Sequence, residues 1–99
     1  MEAGEMKIAD RTVRARMTGR VQGVSFRAWT CREATKLDLK GWVRNEPDGS
    51  VSALLSGAPK AVATMTKLLR DGPVAARVSD VRIEEAEPLD LPDRFEIRY

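Results

Sequence analysis

An α+β two-layer sandwich is the fold class that this 99-residue chain predicts, and three observations carry it. Several short runs alternate apolar with polar residues, the pattern of half-buried strands. Two longer segments instead repeat apolar residues at helical spacing. The two patterns follow one another as β-α-β-β-α-β, with a short extra strand at the end. Two helices must both cover the one sheet if a chain of this length is to form a single core.

The elements justify this order in turn. Residues 1–10 mix small, charged and apolar types without a period, and read as a loose leader to a single domain spanning 1–99. Val13, Ala15 and Met17 alternate with Arg14, Arg16 and Thr18 as a first strand. Gly19 to Ser25 breaks the alternation with two glycines four positions apart. A helix follows, with Ser25 suited to cap it and Phe26, Thr30, Ala34 and Leu37 on one face. Gly41 to Asn45 is a second strand, Pro47-Asp48-Gly49 a turn, and Ser50 to Ser56 a third strand completing a hairpin. Pro59 opens a second helix carrying Val62, Met65 and Leu69, and Gly72-Pro73 ends it. Val78 to Glu84 forms a fourth strand. Phe95, Ile97 and Tyr99 alternate with Glu96 and Arg98 as a short C-terminal edge strand. The ferredoxin-like sandwich, with an antiparallel sheet, is the usual solution for this order.

Composition narrows the function. A hydrophobic fraction of 42% is ordinary for a folded globule and excludes wholesale disorder. The lone Cys31 excludes an internal disulfide and fits a reducing compartment. No stretch approaches the roughly 18 apolar residues of a membrane span, so a soluble, cytoplasmic protein without a membrane partner is expected. Seventeen basic against 15 acidic residues, a net of +2, is too mild to argue for nucleic acid. The chain has no histidine, which removes imidazole as general base, metal ligand and phosphoryl carrier.

The loop between the first strand and first helix concentrates the remaining chemistry. Its glycines permit close backbone approach to a ligand. Successive N–H groups in such a loop can converge as an anion nest, and the following helix adds free N–H groups and its positive dipole end. Arg27, in the first helical turn, can fold its guanidinium back over the loop and match phosphate oxygens bidentately. Together these features predict a dianion site with no metal. The plainer alternative is a tight strand–helix connection with Arg27 merely solvated. No Gly-Lys-Ser/Thr follows, so the loop is no Walker motif.

The run Gly19-Arg20-Val21-Gln22-Gly23-Val24-Ser25-Phe26-Arg27 resembles the acylphosphatase signature, in which Val-Gln-Gly-Val is followed by any residue, an aromatic and Arg. Leu39-Lys40-Gly41-Trp42-Val43-Arg44-Asn45, with Asp48-Gly49-Ser50-Val51 behind it, is similar to that family's second signature. Gly72-Pro73 and the ending Phe95-Glu96-Ile97-Arg98 also resemble family features, so the likeness covers 13–99. It implies that Arg27 binds phosphate and that Asn45 orients the attacking water. It also implies a phosphate cradle formed by the backbone amides of Gln22, Gly23 and Val24 with their neighbours Arg20, Val21 and Ser25. Asp38 stands where a glycine is frequent in the family, and Ser52 where an acidic residue is frequent. Read without the family, Asn45 is only a polar strand end before a turn.

The implied reaction is hydrolysis of a small acyl phosphate, with inorganic phosphate as product and inhibitor and without cofactor, metal or covalent intermediate. An acyl phosphate expels a carboxylate whose conjugate acid has a pKa of about 4, so a general acid is hardly needed. What remains is to hold the phosphoryl group, neutralise its charge and aim a water in line. Cys31 is a poor nucleophile candidate, because a Cys-x5-Arg loop would need arginine where Leu37 stands. Two rival functions are an RNA-binding module and a regulatory domain that keeps the cradle without turnover. The first wants aromatics exposed on central strands, and the chain has only two Trp, one Tyr and two Phe. Nothing in the sequence demands more than a monomer.

Overall fold

Val13, Ala15 and Met17 are fully buried along β1 (Arg11–Arg20) while Arg14 and Arg16 are exposed, so the alternation read from the sequence is the pleat of a strand with one covered face. This computed structural model describes residues 9–99; most of the expected leader lies outside the described residues. The remaining elements are α1 (Phe26–Lys36), β2 (Lys40–Asn45), β3 (Val51–Gly57), α2 (Pro59–Asp71), β4 (Arg77–Glu85) and β5 (Phe95–Arg98). Among the described residues, no helix is long and apolar enough to cross a membrane.

The strand order is β4-β1-β3-β2-β5. The first four strands pair antiparallel, as the ferredoxin-like order requires. The short edge strand β5 joins β2 in parallel, so the sheet is mixed. The polarity has a functional consequence. β1 and β2 are both antiparallel to β3, and β5 runs with β2. The C-terminal ends of β1, β2 and β5 therefore meet at one end of the sheet, where β1 releases the glycine-bearing loop.

Both helices lie on the same face. α1 packs over β2 and β5, and α2 over β4, β1 and β3. Phe26, Thr30 and Ala34 from α1 and Val62, Met65 and Leu69 from α2 meet Val43, Val51, Ala53 and Leu55 in the core. On the opposite face Trp42 is only 6% exposed, because the guanidinium carbons of Arg44 and Arg98 lie 4.8 and 5.3 Å from its ring centroid. Arginine stems cover the indole there in place of a third layer.

The end of α1 shows why Asp38 departs from the family at little cost. The Leu39 N–H donates to the Ala34 carbonyl at 3.0 Å and the Asp38 N–H to the Thr35 carbonyl at 3.1 Å. These two bonds make a Schellman cap, which puts Asp38 at φ 57, the left-handed position that glycine ordinarily fills. Aspartate enters that region more readily than most residues, but with a residual penalty. Asp38→Gly is expected to raise stability by about 0.5 kcal/mol, read as a higher urea midpoint. Ser52, the other departure, stands opposite both Arg16 and Arg44 on the uncovered face. Those arginines pair instead with Asp48 and Glu46 of the neighbouring turn.

Candidate functional site

The loop after β1 is pinned by its apolar residues. Val21 and Val24 are buried in the core, at 1% and 9% exposure, while Gly23 between them is exposed. Gly23 has φ 74 and Ser25 φ 63, flanking Val24. Such alternation turns successive N–H groups toward a common point. Ser25 does occupy the N-cap of α1, but in this left-handed conformation its side chain makes no capping hydrogen bond. The expected hydroxyl cap is thus absent, and the backbone geometry takes precedence.

The first helical bond runs from the Trp29 N–H to the Ser25 carbonyl at 3.0 Å. The amides of Phe26, Arg27 and Ala28 lie outside the helical ladder, as every helix leaves its first N–H groups. No acidic side chain occupies the first turn to compete for them. These three residues open onto a cleft of about 190 Å³, lined also by Val21, Gly23, Ser25, Asn45, Ile97 and Tyr99.

Two clamps hold the cleft's opposite wall. The Gln22 side-chain amide Nε2 donates to the carbonyls of Glu46 and Ser50, both at 2.8 Å. The turn itself is closed by the Ser50 N–H and Oγ donating to Asp48 Oδ1, at 2.9 and 2.6 Å. The loop is thereby tied to the hairpin that carries Asn45 at the end of β2. The Arg44 guanidinium, 2.8 Å away, together with the Ser52 hydroxyl holds the Glu46 carboxyl below its usual range. That carboxylate stays engaged with Arg44 of β2 and Ser52 of β3, and it is not among the residues lining the cleft.

Arg27 and Asn45, far apart in sequence, therefore line one cleft. Among the described residues neither side chain has a protein hydrogen-bond or ion-pair partner. The Arg27 guanidinium carbon lies 4.8 Å from the Tyr99 ring centroid, so it stacks on that ring while lining the same cleft as Val21, Gly23 and Ser25 of the loop. Of the expected cradle, Val21, Gly23 and Ser25 line the cleft. The Gln22 side chain is spent on the hairpin and that of Val24 on the core, contacts that leave the backbone amides of both residues unengaged among the described residues, and Arg20 lies exposed on β1 outside the lining. Ile97 and Tyr99 escaped the sequence reading as site residues, since only the parallel pairing of β5 with β2 brings them there. Cys31 is half-buried on α1, its Sγ 3.7 Å from the Phe95 carbonyl, and takes no part.

A larger groove of about 620 Å³ crosses the uncovered face, lined by Arg14, Arg16, Trp42, Arg44, Arg82 and acidic neighbours. It is the poorer candidate. Arg16, Arg44 and Arg82 are already paired with Asp48, Glu46 and Asp80, and the groove is walled by strands whose amides serve the ladder. Among the described residues, no three His, Cys, Asp or Glu side chains cluster so as to hold a metal ion.

Comparison with known proteins identifies the family. The acylphosphatase family model matches residues 13–97. A curated acylphosphatase from Mesorhizobium japonicum is 55% identical over 88% of this chain and 93% of its own. The acylphosphatase structure from Coxiella burnetii superposes with a TM-score of 0.86 at 33% identity, covering 91% of this chain and 94% of that one. The Bacillus subtilis acylphosphatase structure gives 0.84 at 36% identity, covering 89% and 98%. By sequence across most of its length, and by the fold that results, this chain belongs to the acylphosphatase family.

Proposed function

We propose that the chain hydrolyses the carboxyl–phosphate bond of small acyl phosphates in the cleft at the start of α1. The observation that carries this is the meeting of Arg27, Asn45 and the unpaired amides of Phe26, Arg27 and Ala28 around one small cavity. The amides and the positive end of α1 receive the phosphoryl oxygens. The Arg27 guanidinium neutralises charge on the transferring group, preorganised on the Tyr99 ring. Asn45 holds a water by donating and accepting hydrogen bonds, and aims it at phosphorus opposite the leaving carboxylate.

In this scheme the water's oxygen bonds to phosphorus as the bond to the acyl oxygen breaks. The electron pair leaves with the carboxylate. Asparagine is too weak a base to keep the water's proton, so a substrate phosphoryl oxygen takes it. The products are a carboxylate and inorganic phosphate, and no covalent enzyme intermediate forms. The protein acts alone, as a cytoplasmic monomer, and the reaction uses no cofactor. The lone, half-buried Cys31 fits the reducing compartment this assigns.

Incubation of the purified protein with benzoyl phosphate tests the reading, and turnover that survives a chelator is expected. Asn45→Ala should lower kcat by about a hundredfold while leaving KM within about twofold, because the side chain holds the water and not the substrate. Equal loss in Asn45→Ala and Asn45→Asp would agree with that role. A KM effect without a kcat effect would assign Asn45 to substrate binding and contradict it.

A further inference from the structure

Where β1 meets β4, the ladder slips by one residue between Thr18 and Gly19. Thr18 faces Asp80, but Gly19 faces Val78, so Ser79 is an extra residue on β4. The bulge depends on Gly19, at φ 118, where a Cβ would stand 2.3 Å from the Arg77 carbonyl oxygen. Its result is specific. Val78 turns inward to pack on the core, and the residue brought opposite Arg20 is Arg77. Bulges beside functional sites commonly re-aim a side chain in this way.

Two arginines directly opposite on neighbouring strands repel, and such pairs are unfavourable. Elsewhere on the sheet an acid stands near each arginine: Arg11 pairs with Glu85, Arg44 with Glu46 and Arg98 with Glu96; Arg16 and Arg82, which also face each other across the ladder, pair with Asp48 and Asp80; and Arg14 faces Glu84. Among the described residues, Arg20 and Arg77 have no such partner. Both are exposed, and they lie at the end of the sheet where the cleft opens. Arg20 directly precedes Val21, a cleft-lining residue.

We infer that Arg20 and Arg77 form a second anion site on the rim, receiving a carboxylate or phosphate at the far end of a substrate's acyl chain. The inference rests on the reading of the cleft given above and adds a substrate class to it: acyl phosphates that carry a second negative group. The cleft grips the phosphoryl end that all acyl phosphates share, whereas the rim pair discriminates among their acyl ends. Two guanidinia with no internal acid present donors to an incoming anion without first breaking an ion pair.

The test compares adipoyl phosphate, which ends in a carboxylate, with hexanoyl phosphate, the uncharged chain of equal length. Arg77→Gln should lower kcat/KM for adipoyl phosphate about fivefold, the worth of one exposed charge-assisted contact. Arg77→Glu should lower it by at least about tenfold, since it places a like charge at the anion's seat. Both should leave hexanoyl phosphate within about twofold. Lys60→Glu, at the far end of α2, changes net charge as much as Arg77→Glu and should not alter the ratio of the two substrates. Titration with inorganic phosphate, followed at the backbone amides of Arg20 and Arg77, separates capture of free anions from capture of the substrate's tail.

Amide shifts with phosphate, but equal treatment of both substrates by the Arg77 variants, would overturn the assignment to the acyl end. No shift and no change in the substrate ratio would overturn the site altogether. A wild-type protein that leaves even hexanoyl phosphate intact would strike the reading of the cleft instead. The amide titration would then decide the rim pair by itself.

Discussion

Arg27→Ala should lower kcat/KM for benzoyl phosphate by about a thousandfold or more, the scale set by removing a preorganised charge from a phosphoryl-transfer site. It should also weaken inhibition by inorganic phosphate, because the guanidinium binds the anion in the ground state too. The fold should survive, since Arg27 is half-exposed and has no ion-pair partner among the described residues. Arg27→Lys restores the charge but not the planar fork, and its ammonium stacks less well on Tyr99. It should recover only a small part of the rate. The contrast with Asn45→Ala separates the two roles: phosphate affinity falls in the arginine variant and holds in the asparagine variant. Equal phosphate affinity in the wild type and both variants would refute that division.

Gly41→Ala should be the most damaging small substitution for stability, costing about 4 kcal/mol or more and leaving little folded protein. Gly41 has φ 139, and a Cβ there would stand 1.8 Å from the Leu54 carbonyl oxygen and 3.2 Å from the Phe95 ring. The neighbours cannot yield. Leu54 is backbone of the central strand β3, and Phe95 anchors β5 in the core at 5% exposure. The glycine thus lets β2 lie between β3 and β5, which sets the position of both Asn45 and Tyr99. A urea titration followed by circular dichroism reads the effect directly. A near-normal midpoint would mean that β2 can shift away from β3, and the cleft would then be less rigidly built than described.

Much of this architecture is written in local pattern. The buried triplets Val13/Ala15/Met17 and Val62/Met65/Leu69 announce a strand and a helix by period alone, because one face of each is covered and the other wet. The loop after β1 was legible as a candidate anion site from its two glycines and the helix behind it. Asn45 was not: a polar residue before a turn is ordinary, and only the family resemblance singled it out. Gln22 carried no visible sign that its side chain would bind the hairpin rather than a ligand, since its partners are carbonyls more than 20 residues away. Ser25 looked like a capping residue by type, but its positive φ turns the hydroxyl away from that task. Ile97 and Tyr99 depend on a parallel strand pairing that no local pattern encodes. What the sequence conceals here is non-local pairing and the aim of individual side chains.

The decisive measurement is where a solvent oxygen ends up. Hydrolysis of benzoyl phosphate in water enriched in heavy oxygen, with both products analysed by mass, reports which bond the protein breaks. A site that captures the phosphoryl group and directs water at phosphorus must place the label in inorganic phosphate. Label in benzoate would show attack at the acyl carbon, and a cleft built around Arg27, Asn45 and the α1 amides would then have been assigned the wrong reaction.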